Sequence, residues 1–189
     1  MPTPFRELVN RCLAGDHAAM VELVDRYRNQ VFGLCYRMLG QREDAEDAAQ
    51  ETMMRMLRSL SGWDSTRDFE PWLLAIAGNR CRSMLAARQR RPALAVLVES
   101  TCLDRSPDHQ AARNLAEEVQ LALRQIRPEY REAFLLFHEH ELTYEQISAA
   151  LDRPLGTIKT WIRRARRELV AQLRQRDVVQ ESRHELRRL

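Results

Sequence analysis

The sequence predicts an all-α protein made of two small helical domains joined by a flexible linker, the second of which contains a helix-turn-helix. Two observations lead to this fold class. Runs of β-branched residues are few, and apolar residues instead recur at steps of three and four along most of the chain. This helical periodicity fades near the middle of the 189 residues, and each half is long enough to bury a modest core.

Three amphipathic helices are predicted in the first domain, which spans residues 1–91. The first helix begins after Asp16, whose side chain is suited to cap a helix N-terminus, and ends at Gly40, a residue type common at helix C-termini. The second begins in the acidic segment 42–47, and the third runs from about Phe69 to an arginine-rich end. The apolar faces of these helices are expected to point inward.

A linker is predicted over residues 92–114, where the amphipathic pattern fades and polar residues surround Pro107. The apolar segment 93–98 within it either packs locally or meets a partner. The second domain follows over residues 115–175, and the tail 176–189 is mixed in charge and has no assigned role. The apolar stripe of the second domain's first helix comprises Leu115, Val119, Leu123 and Ile126.

Two short signals mark a helix-turn-helix in the second domain. Thr143 and Gln146 fit a capping box, in which the threonine hydroxyl accepts a hydrogen bond from the backbone N–H three residues on and the glutamine side chain reaches back. The helix that they begin is interrupted at residues 152–154, and a longer basic helix with an apolar stripe follows. Two helices joined by a tight turn, the second one basic, indicate a DNA-binding motif.

The last helix presents a polar and basic face that suits DNA. Its outward residues are Thr157, Thr160, Arg163, Arg164 and Arg167, with Lys159 and Trp161 at the edges of the apolar stripe. A recognition helix needs donors that reach base edges in the major groove and cations that hold phosphates. The alternative is a solvated basic face, and the capping box and turn directly before the arginines favour DNA recognition.

The acidic helix of the first domain indicates a protein partner. Carboxylates in its first turn are explained by the helix dipole, with which each interacts favourably by roughly 0.3–1 kcal/mol. The acidity nevertheless continues to Glu51, beside Gln50. Because DNA phosphates would repel this helix, another protein is the better-suited partner.

The arginine-rich end of the third helix indicates contact with unpaired bases. Its cations are Arg80, Arg82, Arg88, Arg90 and Arg91. Aromatic residues precede them, and aromatic rings near cations are the parts needed to stack bases and follow a single strand. Phe69 and Trp72 are better explained as core residues, which leaves Trp63 in the loop as the candidate for exposure.

Several other classes of function find no support. There is no nucleotide-binding or hydrolase motif, so the sequence predicts a protein that is not an enzyme and needs no cofactor. The four cysteines form no C-x-x-C pair, which suits reduced thiols, and the histidines of segment 138–140 lack the spacing of a helical zinc site.

Because no apolar stretch reaches about 18 residues, we expect a cytoplasmic protein without membrane insertion. With a net charge of only +3, a nucleic-acid role depends on where the cations lie.

These segments resemble a known family, the extracytoplasmic-function (ECF) group of the sigma-70 family of RNA polymerase sigma factors. Residues 44–51, D-A-E-D-A-A-Q-E, resemble the D-x-E-D-x-x-Q-E segment of the family's second region, and residues 69–79 resemble the helix that follows it. The segments that resemble the helix-turn-helix of its fourth region are 142–147, 154–159 and 164–167. Because two unrelated motifs occur in the family's order, the resemblance is specific.

The resemblance implies a factor that binds core RNA polymerase and directs promoter recognition and melting. The residues implied to dock on the clamp helices of the polymerase β′ subunit are Asp44, Asp47, Gln50 and Glu51. The residues implied to contact the minus-ten element, where an unpaired base is captured, are Trp63, Asn79, Arg80, Ser83 and Arg88. The residues implied to read the minus-thirty-five element are Thr157, Lys159, Thr160, Arg163, Arg164 and Arg167. The second domain is further implied to meet the polymerase β flap, and an anti-sigma factor is implied as a regulator.

This chain departs from the family pattern at two positions of the helix-turn-helix. Asp152 stands where the turn usually has glycine, and aspartate tolerates a left-handed conformation better than most residues. Trp161 stands where arginine is frequent, which bears on base preference. Two alternatives stay open: a stand-alone helix-turn-helix regulator that binds duplex operators as a dimer, and an enzyme or interaction module that keeps only the fold.

Overall fold

The computed structural model describes residues 4–90 and 107–176, with side chains described for 4–90 and 115–176. This part of the chain contains α-helices and one 3-10 turn (Leu60–Gly62), and it contains no strand. The helices are α1 (Pro4–Leu13), α2 (His17–Leu39), α3 (Arg42–Ser59), α4 (Phe69–Arg90), α5 (Pro107–Gln125), α6 (Pro128–His138), α7 (Tyr144–Leu151) and α8 (Leu155–Gln175). The predicted all-α class is therefore confirmed. The apolar segment 93–98, Cys102 and the tail beyond Arg176 lie outside the described residues.

Helix α2 begins and ends where the sequence predicts. Asp16 is the N-cap, and its carboxylate accepts a hydrogen bond from the backbone N–H of Ala19 across 3.2 Å. Gly40 is the C-cap with φ 74° and ψ 1°, and its N–H donates to the carbonyl of Tyr36 across 2.8 Å. Both signals work locally because they pair polar groups that a helix end leaves without a partner inside the helix.

Helix α1 (Pro4–Leu13) is not among the predicted elements. Leu8, Val9 and Cys12 are buried, so the helix packs its apolar face against the first domain. Helices of this length are marginal in isolation, and most of their stability comes from tertiary packing. Phe5, Leu8, Val9 and Cys12 recur at steps of three and four, so the apolar periodicity of this segment does indicate the helix.

Helix α5 begins at Pro107, inside the predicted linker of residues 92–114. Proline suits the first helical position because its missing N–H would have no partner there. Leu123 and Ile126 are buried as predicted, but Leu115 is 52% exposed. The expectation that Leu115 belongs to the buried stripe is therefore wrong, because the buried side chains that are described in α5 lie in its last two turns.

The helix-turn-helix consists of α7 and α8, as predicted. The capping box is complete: the backbone N–H of Gln146 donates to Thr143 Oγ1 across 3.1 Å, and the backbone N–H of Thr143 donates to Gln146 Oε1 across 2.9 Å. Asp152 ends α7 in the left-handed region, with φ 50° and ψ 54°. Ile158 and Ile162 of α8 are buried, which turns the opposite face of that helix outward.

The first domain (α1 to α4) and the second domain (α5 to α8) lie in direct contact. Helix α4 packs against α6 and α7, and α2 packs against α5 and α6. One set of buried apolar residues runs through both domains, from Leu8 in α1 to Ala165 in α8. The contact between the domains determines which of the predicted surfaces face solvent.

Candidate protein-docking and DNA-binding surfaces

The acidic surface predicted for a protein partner lies on α3. Asp47 and Gln50 are exposed, and Glu51 beside them is half-buried. Arg55 donates to Glu51 Oε1 across 2.7 Å, and this hydrogen bond lowers the pKa of the Glu51 carboxyl. Glu51 therefore stays charged at neutral pH as part of an exposed acidic surface.

Met54 extends this surface and is absent from the predicted set. It lies four residues after Gln50, so it shares the helix face, and it is 43% exposed. The sequence signal is weak, because the neighbouring methionines Met53 and Met56 are buried and only the structure separates the three. We call Asp47, Gln50, Glu51 and Met54 the α3 face.

Asp44 lies apart from the α3 face. Its carboxylate forms an ion pair with Arg88 of α4, and Arg88 also donates to Gln41 Oε1 across 2.6 Å. Burial, together with the nearby Arg124, lowers the pKa of Arg88. The structure thus pairs Asp44, which was predicted to contact the polymerase, with Arg88, which was predicted to contact the minus-ten element. This ion pair fixes the C-terminal end of α4 to α3.

Asn79 and Ser83 lie together on the exposed side of α4. The Ser83 hydroxyl donates to the backbone carbonyl of Asn79 across 2.9 Å, and Arg82 donates to Asn79 Oδ1. Arg80 does not join them: it is half-buried and near Glu51, whose pKa it helps to lower. The predicted minus-ten residues of α4 therefore divide between two sides of the helix.

Trp63 is half-buried in an aromatic cluster and is not a freely exposed loop residue. Its ring contacts Phe5 and Phe69 edge-on, with centroids 5.8 Å and 5.3 Å apart. Phe69 is buried, as predicted for a core residue, and Trp72 packs against it while only partly buried. Phe5 comes from the unpredicted helix α1, which is why the sequence left Trp63 without a packing partner. An open cavity of about 420 Å³ borders this cluster and reaches Gln146 of the second domain.

The basic residues of α8 form two groups. Lys159, Arg163 and Arg167 are exposed at steps of four along the helix, and the half-buried Thr157 and Thr160 lie near its N-terminus. Arg164, the remaining basic residue of the predicted set, is also exposed but lies on the side of α8 that faces α6. Its guanidinium donates to the hydroxyl of Tyr130 on α6 across 2.9 Å.

Trp161 lies on the same side of α8 as Arg164. Its ring is half-buried, and its centroid is 6.0 Å from that of Tyr130. The departure from arginine at this position therefore adds an aromatic contact between α8 and α6.

The remaining polar and reactive groups show no metal centre. Among residues 4–90 and 115–176, there is no group of three or more His, Cys, Asp or Glu side chains that is able to hold a metal ion. Cys12, Cys35 and Cys81 are buried free thiols, and a hydrogen bond with Cys35 together with burial raises the pKa of Cys81. No helix in the described part of the chain is long and apolar enough to cross a membrane.

The fold and its basic helix-turn-helix define a class, that of helical two-domain DNA-binding proteins. The family model described as Sigma-70 region 2 matches residues 23–91, and the model described as Sigma-70, region 4 matches residues 116–169. These matches cover the first domain from the second turn of α2 onward and most of the second domain.

Known proteins with the same organisation are similar along most of this chain. The ECF RNA polymerase sigma factor SigW of Bacillus subtilis is 29% identical over 187 residues, covering 92% of this chain and 99% of that protein. The ECF RNA polymerase sigma-E factor of Salmonella typhimurium is 33% identical over 170 residues, covering 84% and 88%. The solved structure of CnrH in complex with the cytosolic domain of CnrY has a TM-score of 0.66 at 25% identity, covering 89% and 96%.

The chain belongs to the ECF sigma factors of the sigma-70 family. It is accordingly a transcription initiation factor that binds core RNA polymerase and promoter DNA. The stand-alone regulator is not favoured.

Proposed function

We propose that the protein is a promoter-specificity subunit without enzymatic activity, in which the α3 face docks on core polymerase while α4 and α8 contact two promoter elements. The observation that carries this proposal is the separation of charge. The α3 face exposes carboxylates, whereas the exposed side of α8 carries cations at steps of four. A DNA-binding protein with both surfaces is suited to a protein partner and a nucleic acid at the same time.

The α3 face is proposed to bind the clamp helices of the β′ subunit. Asp47 and Glu51 suit a cationic protein surface, and Gln50 adds an amide that donates and accepts hydrogen bonds. Met54 supplies an apolar side chain beside them, and buried apolar anchors usually carry most of the energy of a protein interface. Asp44 is proposed to contribute less directly, because it is paired with Arg88.

Helix α4 and the aromatic cluster are proposed to bind the minus-ten element. The Asn79 amide and the Ser83 hydroxyl offer donors and acceptors for the edges of an unpaired base. Trp63 lines the open cavity of about 420 Å³, where a base taken out of the stack would meet an aromatic wall. Contacts of this kind offset the cost of unstacking, which is a few kcal/mol for one base. Arg80 and Arg88 are proposed to act through charge.

Helix α8 is proposed to read the minus-thirty-five element. Its N-terminal half carries Thr157, Lys159, Thr160 and Arg163, which is the part of a recognition helix that enters the major groove. Arg167 lies one turn further and suits a phosphate contact. Arg164 is proposed to position α8 through Tyr130 as well as to attract DNA. The second domain is further proposed to meet the β flap.

Two functional units are proposed for the chain: residues 1–91 for polymerase docking and the minus-ten element, and residues 115–175 for the minus-thirty-five element. The matched ranges 23–91 and 116–169 support this division. We place the protein in the cytoplasm, where bacterial polymerase and promoters are found. An anti-sigma factor is proposed as its regulator because the solved structures similar to this chain include a sigma factor in complex with an anti-sigma factor.

Run-off transcription tests the proposed function. Purified core polymerase is assayed with and without this protein on a genomic promoter library at a stated salt concentration, since DNA affinity depends steeply on salt. New discrete start sites that share two spaced elements are the expected result. If the protein binds duplex DNA by itself and adds no start sites, it acts as a stand-alone regulator and the proposal is wrong.

A further inference from the structure

Two tyrosines flank the basic face of α8. The guanidinium carbon of Arg164 lies 5.8 Å from the centroid of the Tyr130 ring, and the ammonium nitrogen of Lys159 lies 5.6 Å from the centroid of the Tyr144 ring. Both distances fall within the roughly 6 Å over which the face of an aromatic ring attracts a cation. Lys159 and Arg164 are five residues apart, so they point about 140° apart around the helix. The two tyrosines therefore lie on different sides of the face that is proposed to meet DNA.

Tyr144 is fixed in place by its own helix and by α6. It is the first residue of α7, directly after the N-cap residue Thr143, whose capping box with Gln146 is complete. Its ring stacks on that of Phe137, with centroids 4.7 Å apart and an interplanar angle of 19°. The cap orients the backbone and the stacking orients the ring. Lys159 thus lies beside an aromatic surface that is held from two directions.

The contact with Tyr144 limits where the Lys159 ammonium points. Lysine has a flexible four-carbon stem, and fixing it in a complex costs more conformational entropy than fixing most other side chains. A side chain that already has its bound orientation in the free protein avoids part of this cost. Lys159 is nevertheless exposed, so its ammonium stays accessible to DNA. The Tyr144 ring is consequently suited to prepare Lys159 for binding.

We propose that Tyr144 is a positioning residue for Lys159: its ring holds the ammonium at the α7 side of the recognition helix, where the ammonium reads one base pair of the minus-thirty-five element. This inference rests on the proposed role of α8. A lysine in the major groove most often donates to O6 and N7 of guanine, so guanine is the expected base. The preference for it belongs to Tyr144 and Lys159 together.

Nuclear magnetic resonance tests the contact directly, because Lys159 is the only lysine of the chain. In the full-length protein with ¹³C-labelled lysine, all labelled side-chain signals come from this residue. Protons over the face of an aromatic ring resonate upfield, so the Hε signal should lie upfield of its position in the same sample unfolded in urea. Tyr144→Phe should keep this shift, and Tyr144→Leu should lose it. An Hε signal of the folded wild-type chain at the unfolded position overturns the inference.

Base preference in the holoenzyme tests the role in recognition. Equilibrium binding is measured on a promoter from the run-off experiment, with each base pair of its minus-thirty-five element replaced in turn. One lysine contact should give about tenfold discrimination at one position, which Lys159→Met should abolish. Tyr144→Leu should reduce that discrimination about threefold, the loss expected for an exposed cation–π contact, and Tyr144→Phe should restore it. A wild-type preference in the folded Tyr144→Leu protein overturns the inference.

A double variant separates positioning from a direct effect of the tyrosine. With Lys159→Met in place, Tyr144→Leu should have no further effect on base preference, because the two residues act as one unit. If Tyr144→Leu still changes the preference in that background, Tyr144 acts on DNA by itself and the inference is wrong.

Tyr36→Leu is the matched control for the loss of a stacked ring. Tyr36 of α2 stacks on Phe32 with an interplanar angle of 18°, and it lies in the first domain. This variant should leave the Lys159 signal and the base preference as in wild type. Circular dichroism verifies the fold of each variant. If Tyr144→Leu does not fold, the wild-type and Tyr144→Phe spectra still decide, because both proteins keep the ring.

Run-off transcription with core polymerase separates a failure of this inference from a failure of the proposed function. Start sites that depend on a minus-thirty-five element, together with an unshifted Lys159 signal, contradict the positioning role alone. No start sites at all contradict the proposed function, and the reading of a base by Lys159 with it, whatever the spectra show.

Discussion

The guanidinium of Arg164 donates a hydrogen bond to the phenolic oxygen of Tyr130 across 2.9 Å, and this bond ties the recognition helix α8 to α6. Arg127 donates to the same oxygen across 3.3 Å. Hydrogen bonds from Arg164 and then Arg127 lower the pKa of the Tyr130 hydroxyl. Arg163, the preceding residue on α8, is exposed, as is Arg164. We therefore propose different tasks for the two adjacent arginines: Arg164 positions the helix through Tyr130, and Arg163 is available to DNA.

We expect Arg163→Ala to weaken binding to duplex DNA that carries the minus-thirty-five element, with binding to core polymerase unchanged. If Arg163 contacts a phosphate, the slope of log affinity against log salt concentration should fall by about 1. Titrations of the holoenzyme at several salt concentrations measure that slope. Arg174→Ala is the matched control, because Arg174 is exposed near the C-terminal end of the same helix. Equal effects of the two substitutions would contradict a specific role for Arg163.

We expect Asp152→Gly to raise the free energy of unfolding by up to about 1 kcal/mol. Asp152 ends α7 at φ 50°, a left-handed conformation that costs non-glycine residues roughly 1–2 kcal/mol. Glycine avoids most of this cost but loses more chain entropy on folding, which reduces the gain. Urea unfolding of the full chain measures the difference, with Asp152→Ala as the control. A glycine variant no more stable than the alanine variant would show that the turn is not strained.

We expect Met54→Ala to weaken binding to core polymerase about tenfold, which corresponds to about 1.4 kcal/mol. Met54 is 43% exposed on the α3 face, so its loss should leave the stability of the free chain nearly unchanged. A binding titration with labelled core polymerase measures the affinity. Val21→Ala removes an apolar side chain of similar exposure, 47%, from α2 and serves as the control. If both variants bind like wild type, Met54 lies outside the interface.

The stability of the chain should fall as the pH drops below about 6.5, in part because of His140. Burial lowers the pKa of His140, so the folded chain binds a proton there less readily than the unfolded chain does. The unfolded state is therefore favoured as pH falls through the unfolded pKa, by at most about 1.4 kcal/mol per pH unit for one proton. Urea unfolding at pH 7.5 and 5.5 should show a smaller loss for His140→Gln than for wild type. The same change at the exposed His17 should leave the loss unaltered.

Local signals in the sequence predicted the ends of several helices correctly. Asp16, Gly40, and the pair Thr143 and Gln146 act on backbone groups within a few residues, so their effect depends little on the rest of the fold. The periodic apolar residues of α8 predicted its buried stripe for the same reason. Helix α1 and the early start of α5 at Pro107 were harder to predict, because short or partly exposed helices depend on what they pack against.

The candidate functional sites show the same difference between what local sequence signals predict and what depends on tertiary packing. The sequence places Asp47, Gln50 and Glu51 on one helix face, since their spacing alone determines that arrangement. It does not separate Arg163 from Arg164, because the partner of Arg164 is Tyr130, which lies 34 positions earlier in the chain. Likewise it leaves Trp63 without a partner, because Phe5 lies far from Trp63 in the sequence and only the fold brings the two rings together.

The sequence by itself determined the all-α class and the helix-turn-helix, because short-range caps, turns and periodicities carry that information, and its motifs carried the resemblance to the family. Only the tertiary structure decided that Asp44 pairs with Arg88, that Met54 is exposed while Met53 is buried, and that Glu132 rests against Gly78. These contacts join residues far apart in the chain, and the exposure of a side chain follows from packing. Packing is set by the whole fold, whereas a helix end is set by its nearest neighbours.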